Sequence, residues 1–159
     1  YCFNKTYRKE NTQGRMKLAA ELRKNLSDVL VEKTADNKTY YEVLSRGEIK
    51  ELSNFHPRLR LDFMQGYLKS RHWMDIFFLE LISEQLNIDI FFYDEYRKKF
   101  YQTGDLEMYH KNRNTIFINY QNEAHFEAMG VKLDKVYTFF SPECDVIKNV
   151  REEYYLKGN

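Results

Sequence analysis

The chain has 159 residues, of which 43% are hydrophobic and 16% aromatic, with only 6 glycines and 2 prolines. This length is enough for one domain with a buried core, and the scarcity of glycine and proline excludes collagen-like and Pro/Gly-rich disordered classes. The 25 basic and 24 acidic residues nearly cancel, and no apolar run approaches the length of a membrane-spanning helix,. We therefore expect neither a nucleic-acid partner nor a membrane partner.

The first half of the chain predicts helices. Residues 1–14 are polar and are expected to form a loop. Leucines then recur every four residues over 18–30, with charged residues between them, which predicts an amphipathic helix,. A weaker pattern over 41–52 predicts a second helix, bent near Gly47, and a third short helix is expected over 61–70,.

The second half begins with an apolar stripe over 73–86, which predicts a buried helix,. Runs rich in β-forming residues follow and predict strands at 88–93, 115–120, 124–129 and, at an edge, 136–140,. A charged excursion over 97–114 separates the first two. Because the helices come first and the strands late, with short connections, the order favours an α+β fold. We predict one domain over 1–159, with a small, mostly antiparallel sheet flanked by the N-terminal helices.

Few residues of this sequence can serve as catalytic or metal-binding groups. The four histidines show no metal-ligand spacing, no phosphate-binding glycine loop is present, and there is no Gly-x-Ser-x-Gly elbow,. Cys2 can supply a nucleophilic thiol, and His125 can serve as its base. Glu127 follows two residues after His125 and projects from the same strand face. A histidine in a strand is also common as a packed or exposed residue, so spacing alone leaves both roles open. Cys144 belongs to no motif and is interpreted as structural or incidental.

In their order along the chain, these pieces resemble the OTU (ovarian tumour) family of cysteine proteases. The matching pieces are Cys2-Phe3, Leu22-Arg23, the Trp73 helix, the 88–93 strand and His125-Phe126-Glu127. The sequence departs from the family at Glu127, where Asp or Asn is usual, and at Asn4, where a second aromatic residue is usual. Asn119 and Asn122 are alternative residues for orienting the histidine. The family's Asp-Gly pair would precede Tyr1, and the missing initiator methionine predicts a fragment of a longer protein.

The resemblance implies a papain-like OTU fold and a thiol-dependent deubiquitinase. Cys2 would attack the carbonyl at the C-terminus of ubiquitin or a ubiquitin-like protein, His125 would transfer the proton, and Glu127 would orient the imidazole. The resemblance implies no metal and no cofactor. The first residues do not resemble a signal peptide and the chain has only two cysteines, so we expect a reducing, cytoplasmic location with free thiols,. Two alternatives stay open: an inactive OTU-like binding or scaffolding domain, and a cysteine protease acting on a polyprotein. The oligomeric state is not predicted.

Overall fold

The computed structural model describes residues 4–72, 74, 78–102, 112–121 and 125–157, except for the side chains of 101–102 and 153–157. The described residues fall into two compact units, one formed by Thr6–Gln85 and the other chiefly by the residues from Leu86 onward. Helices dominate the first unit, and a small mixed sheet lies in the second. This confirms the α+β class, while the single domain over 1–159 stays a prediction.

The loop expected over 1–14 is wrong in its described part. Helix α1 spans Lys5–Lys9, and α2 spans Thr12–Val29. The side-chain oxygen of Asn11 accepts a hydrogen bond from the Gly14 N–H at 2.9 Å, which satisfies a first-turn donor and fixes where α2 begins,. Helix α1 buries no residue, so it leaves no apolar periodicity in the sequence,.

The remaining helices of the first unit follow the predicted pattern. Their bounds are α3 Tyr40–Val43, a 3-10 turn Leu44–Gly47, α4 Glu48–Leu52, a 3-10 turn Pro57–Leu59, α5 Leu61–Lys69 and α6 Leu79–Leu86. The predicted bend is confirmed at Gly47, whose φ of 94° lies in the left-handed region that glycine tolerates,. The front of the helix predicted over 73–86 falls partly on residues 73 and 75–77, which lie outside the described residues.

One apolar core holds the first unit together. Its fully buried members come from α2, α5 and the segment around α6: Leu26, Leu30, Met64, Leu68, Phe78 and Leu81. Phe78 also stacks on Tyr67, with ring centroids 5.7 Å apart. The second half of the leucine repeat of α2 and the 61–70 pattern are therefore buried as predicted, whereas Leu22 is 36% exposed and Leu18 is only partly buried,.

The sheet of the second unit has four strands in the order β2-β1-β3-β4. The strands are β1 Ile88–Asp94, β2 Lys99–Gln102, β3 Asn114–Gln121 and β4 His125–Met129. The β1–β2 and β3–β4 pairs are antiparallel, as expected, whereas β1 and β3 are parallel neighbours. The parallel pairing of β1 with β3 was not predicted, since a run of β-forming residues indicates where a strand lies but not which strand it pairs with.

Short elements complete the second unit. Strands β5 (Val131–Lys132) and β6 (Val136–Tyr137) form a small hairpin, and helix α7 spans Asp145–Lys157. The edge strand expected over 136–140 is therefore shorter, although Phe140 bridges to β3. A second apolar cluster forms around Phe91, Phe117, Phe140 and Ile147, each of which is buried. It anchors α7 and the chain after β6 to the sheet.

A buried ionic cluster also lies in this unit. Asp89 in β1 accepts hydrogen bonds from Arg113 Nε at 2.9 Å and from Arg151 Nη2 at 2.8 Å. The side chains of Asp89, Arg113 and Arg151 are exposed by only 0%, 4% and 19%. Burial raises the pKa of the Asp89 carboxyl, and the two guanidinium groups oppose that rise by favouring the ionised form,.

Candidate active site

His125 and Glu127 come together at the start of β4. His125 Nε2 lies 3.2 Å from Glu127 Oε1, within hydrogen-bonding reach,. Their side chains are about half exposed, at 53% and 54%, so the pair is open to solvent and to a ligand. The sequence prediction that these two residues share a strand face is therefore confirmed by their contact.

The packing of Phe126 explains the direction in which the side chains of His125 and Glu127 point. Its ring packs edge-on against Phe92 at 5.7 Å and stacks on Tyr120 at 4.9 Å. Because successive side chains of a strand alternate between faces, fixing Phe126 on one face directs His125 and Glu127 to the other. The aromatic residue between them thus orients both polar side chains.

Strand β4 is an edge strand, and this determines access to the pair. Pairing with β3 places His125 opposite Gln121 and Glu127 opposite Asn119. No further strand lies beyond β4 among the described residues, and an edge strand leaves half of its backbone groups without a ladder partner. This edge position was not predicted, because the order of strands is not encoded in any local pattern.

Asn119 adds a second polar group on the same face. It lies opposite Glu127 in the register, and its Oδ1 is buried with no hydrogen-bond partner in the described part of the chain. A buried acceptor without a donor costs about 1–3 kcal/mol, so such groups are uncommon in native structures. Of the two alternative orienting residues, Asn119 is therefore placed next to the pair, and Asn122 lies outside the described residues.

The glutamate can perform the chemistry expected of an orienting acid. A carboxylate beside one imidazole nitrogen fixes the tautomer and stabilises the imidazolium. With Glu127 at Nε2, the Nδ1 atom of His125 is left to accept and return a proton. The pair can thus act as a general base and then a general acid, provided that a nucleophile reaches Nδ1.

The predicted nucleophile Cys2 lies outside the described residues, as does Trp73. Cys144 is a free, half-buried thiol that packs against the apolar cluster around Phe91 and Phe117. Its position in that cluster is in keeping with the structural role predicted for it.

The Leu22-Arg23 motif has a structural role in the first unit. Arg23 donates from Nε to the Leu68 carbonyl at 2.8 Å and from Nη2 to the Tyr67 carbonyl at 3.0 Å. These carbonyls belong to the last turn of α5, where backbone acceptors lack helical partners. Arg23 therefore ties α2 to the C-terminal end of α5.

Two further observations concern metal binding and membrane spanning. Across the described ranges, no group of three or more His, Cys, Asp or Glu side chains is placed to hold a metal ion. Within the same part of the chain, no helix combines the length and apolarity needed to cross a membrane.

No protein-family model matches the chain, and no curated protein matches it significantly. The function is therefore inferred from the residues and their geometry.

Proposed function

We propose that this protein is an OTU-type cysteine peptidase that hydrolyses isopeptide or peptide bonds at the C-terminus of ubiquitin or a ubiquitin-like protein. The observation that carries the proposal is the His125–Glu127 contact of 3.2 Å on an exposed edge strand. The α+β architecture, with its helices before a small sheet, is compatible with the papain-like OTU fold that the proposal includes. A cytoplasmic location, which keeps thiols reduced, is part of the same proposal.

In the proposed reaction, His125 takes the proton of the Cys2 thiol, and the thiolate attacks the carbonyl carbon of the C-terminal glycine. The tetrahedral oxyanion collapses, the C–N bond breaks, and His125 protonates the leaving amine. Water, deprotonated by His125, then hydrolyses the thioester and releases Cys2. Throughout, Glu127 holds the imidazole and favours its charged form. No cofactor takes part in the proposed steps.

The glutamate in place of the usual aspartate or asparagine is compatible with this role. Its extra methylene group lengthens the side chain, yet its Oε1 reaches His125 Nε2 at 3.2 Å from two residues along the same strand. We expect Glu127→Asp to keep part of the activity and Glu127→Gln to lose more, because the amide removes the charge that stabilises the imidazolium.

The nucleophile is tested with ubiquitin that carries a thiol-reactive electrophile at its C-terminus. We expect a covalent adduct with the wild-type chain and none with Cys2→Ala. Cys144→Ala is the matched control, since it removes the other thiol of the chain, and its labelling should match the wild type. Labelling that persists in Cys2→Ala and disappears in Cys144→Ala would overturn the assignment of the nucleophile.

The base is tested by the rate of ubiquitin cleavage. His125→Ala should lower kcat by at least about 10²-fold, the usual contribution of a general acid–base residue. His56→Ala is the control, because His56 lies in a connector of the other unit before Pro57. If the folded wild-type protein cleaves unmodified peptides but not ubiquitin, the polyprotein alternative replaces the proposal. If it neither labels nor cleaves any of these substrates, the domain is an inert binding module and the proposal fails.

A further inference from the structure

A groove on the first unit carries an unusual concentration of positive charge. It runs beside α2 and the end of α5, with a volume of about 790 Å³. Its lining residues come from one side of α2 and from the segment that ends α5: Gln13, Met16, Lys17, Ala19, Ala20, Arg23, Lys69, Ser70 and Arg71. All of them belong to the same compact unit.

The charge balance of the groove differs from that of the chain. Of the lining residues that the structure describes, four are Lys or Arg and none is Asp or Glu. The whole chain, in contrast, has 25 basic and 24 acidic residues. A concave surface lined by one sign of charge attracts ligands of the opposite sign and speeds their association.

The basic side chains of the groove are not equivalent. Arg23 is committed to the carbonyls of α5, and Lys69 lies 3.9 Å from the Asp28 carboxylate. Lys17 and Arg71 have no hydrogen-bond or ion-pair partner among the residues that the structure describes. These two cations are therefore available to an anionic group that enters the groove.

The lining of the groove also includes exposed apolar side chains. Met16 is 55% exposed, and the exposed Ala19 and Ala20 add small side chains that allow another backbone to approach closely. Methionine adapts its shape and is common on surfaces that bind peptide segments. None of the lining residues that the structure describes is aromatic, so these residues offer no platform for stacking nucleic-acid bases,. The chemistry fits an apolar side chain flanked by carboxylates.

We propose that this groove binds an acidic, amphipathic segment of a partner protein. Apolar side chains of the segment lie over Met16 and the two alanines, and its carboxylates pair with Lys17 and Arg71. This is a groove-binding mode in which one apolar face of the segment supplies the contact area and the charges fix its direction. The groove residues do not include His125 or Glu127, and the proposal does not depend on peptidase activity.

The probe is a fluorescein-labelled synthetic peptide that combines glutamates with leucines at helical spacing, and anisotropy measures its binding to the whole chain. We expect saturable binding that weakens as salt is raised. Lys17→Glu with Arg71→Glu should weaken it by at least about tenfold, since carboxylates would then face like charges. Lys38→Glu is the matched control because Lys38 is an exposed lysine outside the groove, and it should leave the affinity unchanged.

Further measurements decide the occupant of the groove. Met16→Gln should weaken binding of the peptide, and a peptide with lysines in place of the glutamates should not bind. Circular dichroism confirms that each variant is folded. Equal affinity for the wild type and the doubly reversed variant overturns the proposal. It is also overturned if a single-stranded DNA oligonucleotide binds more tightly than the peptide and displaces it, because the groove is then a nucleic-acid site.

Discussion

Replacing Asp89 by asparagine removes one negative charge from between two guanidinium groups while leaving the shape of the side chain almost unchanged. In the native protein, Arg113 and Arg151 donate to separate oxygens of Asp89 at 2.9 Å and 2.8 Å. An asparagine presents one acceptor oxygen and an amide that is itself a donor. At least one guanidinium group would then face a donor, and neither positive charge would be neutralised.

The burial of these side chains determines how much stability the substitution should remove. Asp89 is 0% and Arg113 4% exposed, so water cannot replace the lost carboxylate. Breaking a buried ion pair by removing one partner costs about 3–5 kcal/mol. A domain has a total stability of about 5–15 kcal/mol, so the variant should lose between about a fifth and nearly all of it. In a chain of this size the melting temperature should fall by about 6–20 °C.

Urea unfolding followed by circular dichroism measures the change. Asp28→Asn is the matched control: it removes the carboxylate that pairs with Lys24 at 2.7 Å, but both side chains are exposed, and such pairs contribute little,. If both variants unfold at the same urea concentration as the wild type, the argument from burial is wrong. Replacing all three residues of the cluster by apolar ones should recover part of the loss, since no buried charge is then left alone.

Two other predictions concern glycine substitutions and the ion pair between Glu42 and Lys50. Gly130→Ala should lower the melting temperature, because its Cβ would lie 2.7 Å from the Tyr137 carbonyl oxygen, whereas Gly66→Ala meets nothing within 4 Å and should keep or raise it,. A hydrogen bond from Lys50, the largest contribution, lowers the pKa of Glu42 from 4.5 to about 2. The stability that this ionisation adds is complete above pH 4.5 and is lost as the pH falls through about 2,. The difference between the wild type and Glu42→Gln in urea unfolding should therefore shrink with acidification, and a constant difference would contradict the reasoning.

Local sequence patterns were sufficient to predict most of the helices and strands. At the end of α2 the leucine repeat places Leu26 and Leu30 in the core, and the β-rich runs that became β1, β3 and β4 stand between polar turns,. Alternation along β4 also predicts from the sequence alone that His125 and Glu127 lie on one face. These features depend on residues a few positions apart, which the sequence displays directly.

Other features depend on residues far apart in the chain. Asp89 lies in what the sequence displays as an apolar strand, and its partners are 24 and 62 positions away. Lys17 and Arg71 look like ordinary surface cations until α2 and the end of α5 are side by side. Helix α1 buries nothing, so no pattern distinguishes it from a loop.

By itself, then, the sequence determined the α+β class, the strand that carries His125, and the proximity of Glu127. The folded structure alone decided that β4 is an edge strand, that β1 and β3 are parallel neighbours, and that a basic groove forms beside α2. The physical reason is the range of the forces involved. Periodicity records which face of an element is buried, whereas pairing order, buried charge and the shape of a groove arise only when distant elements pack together.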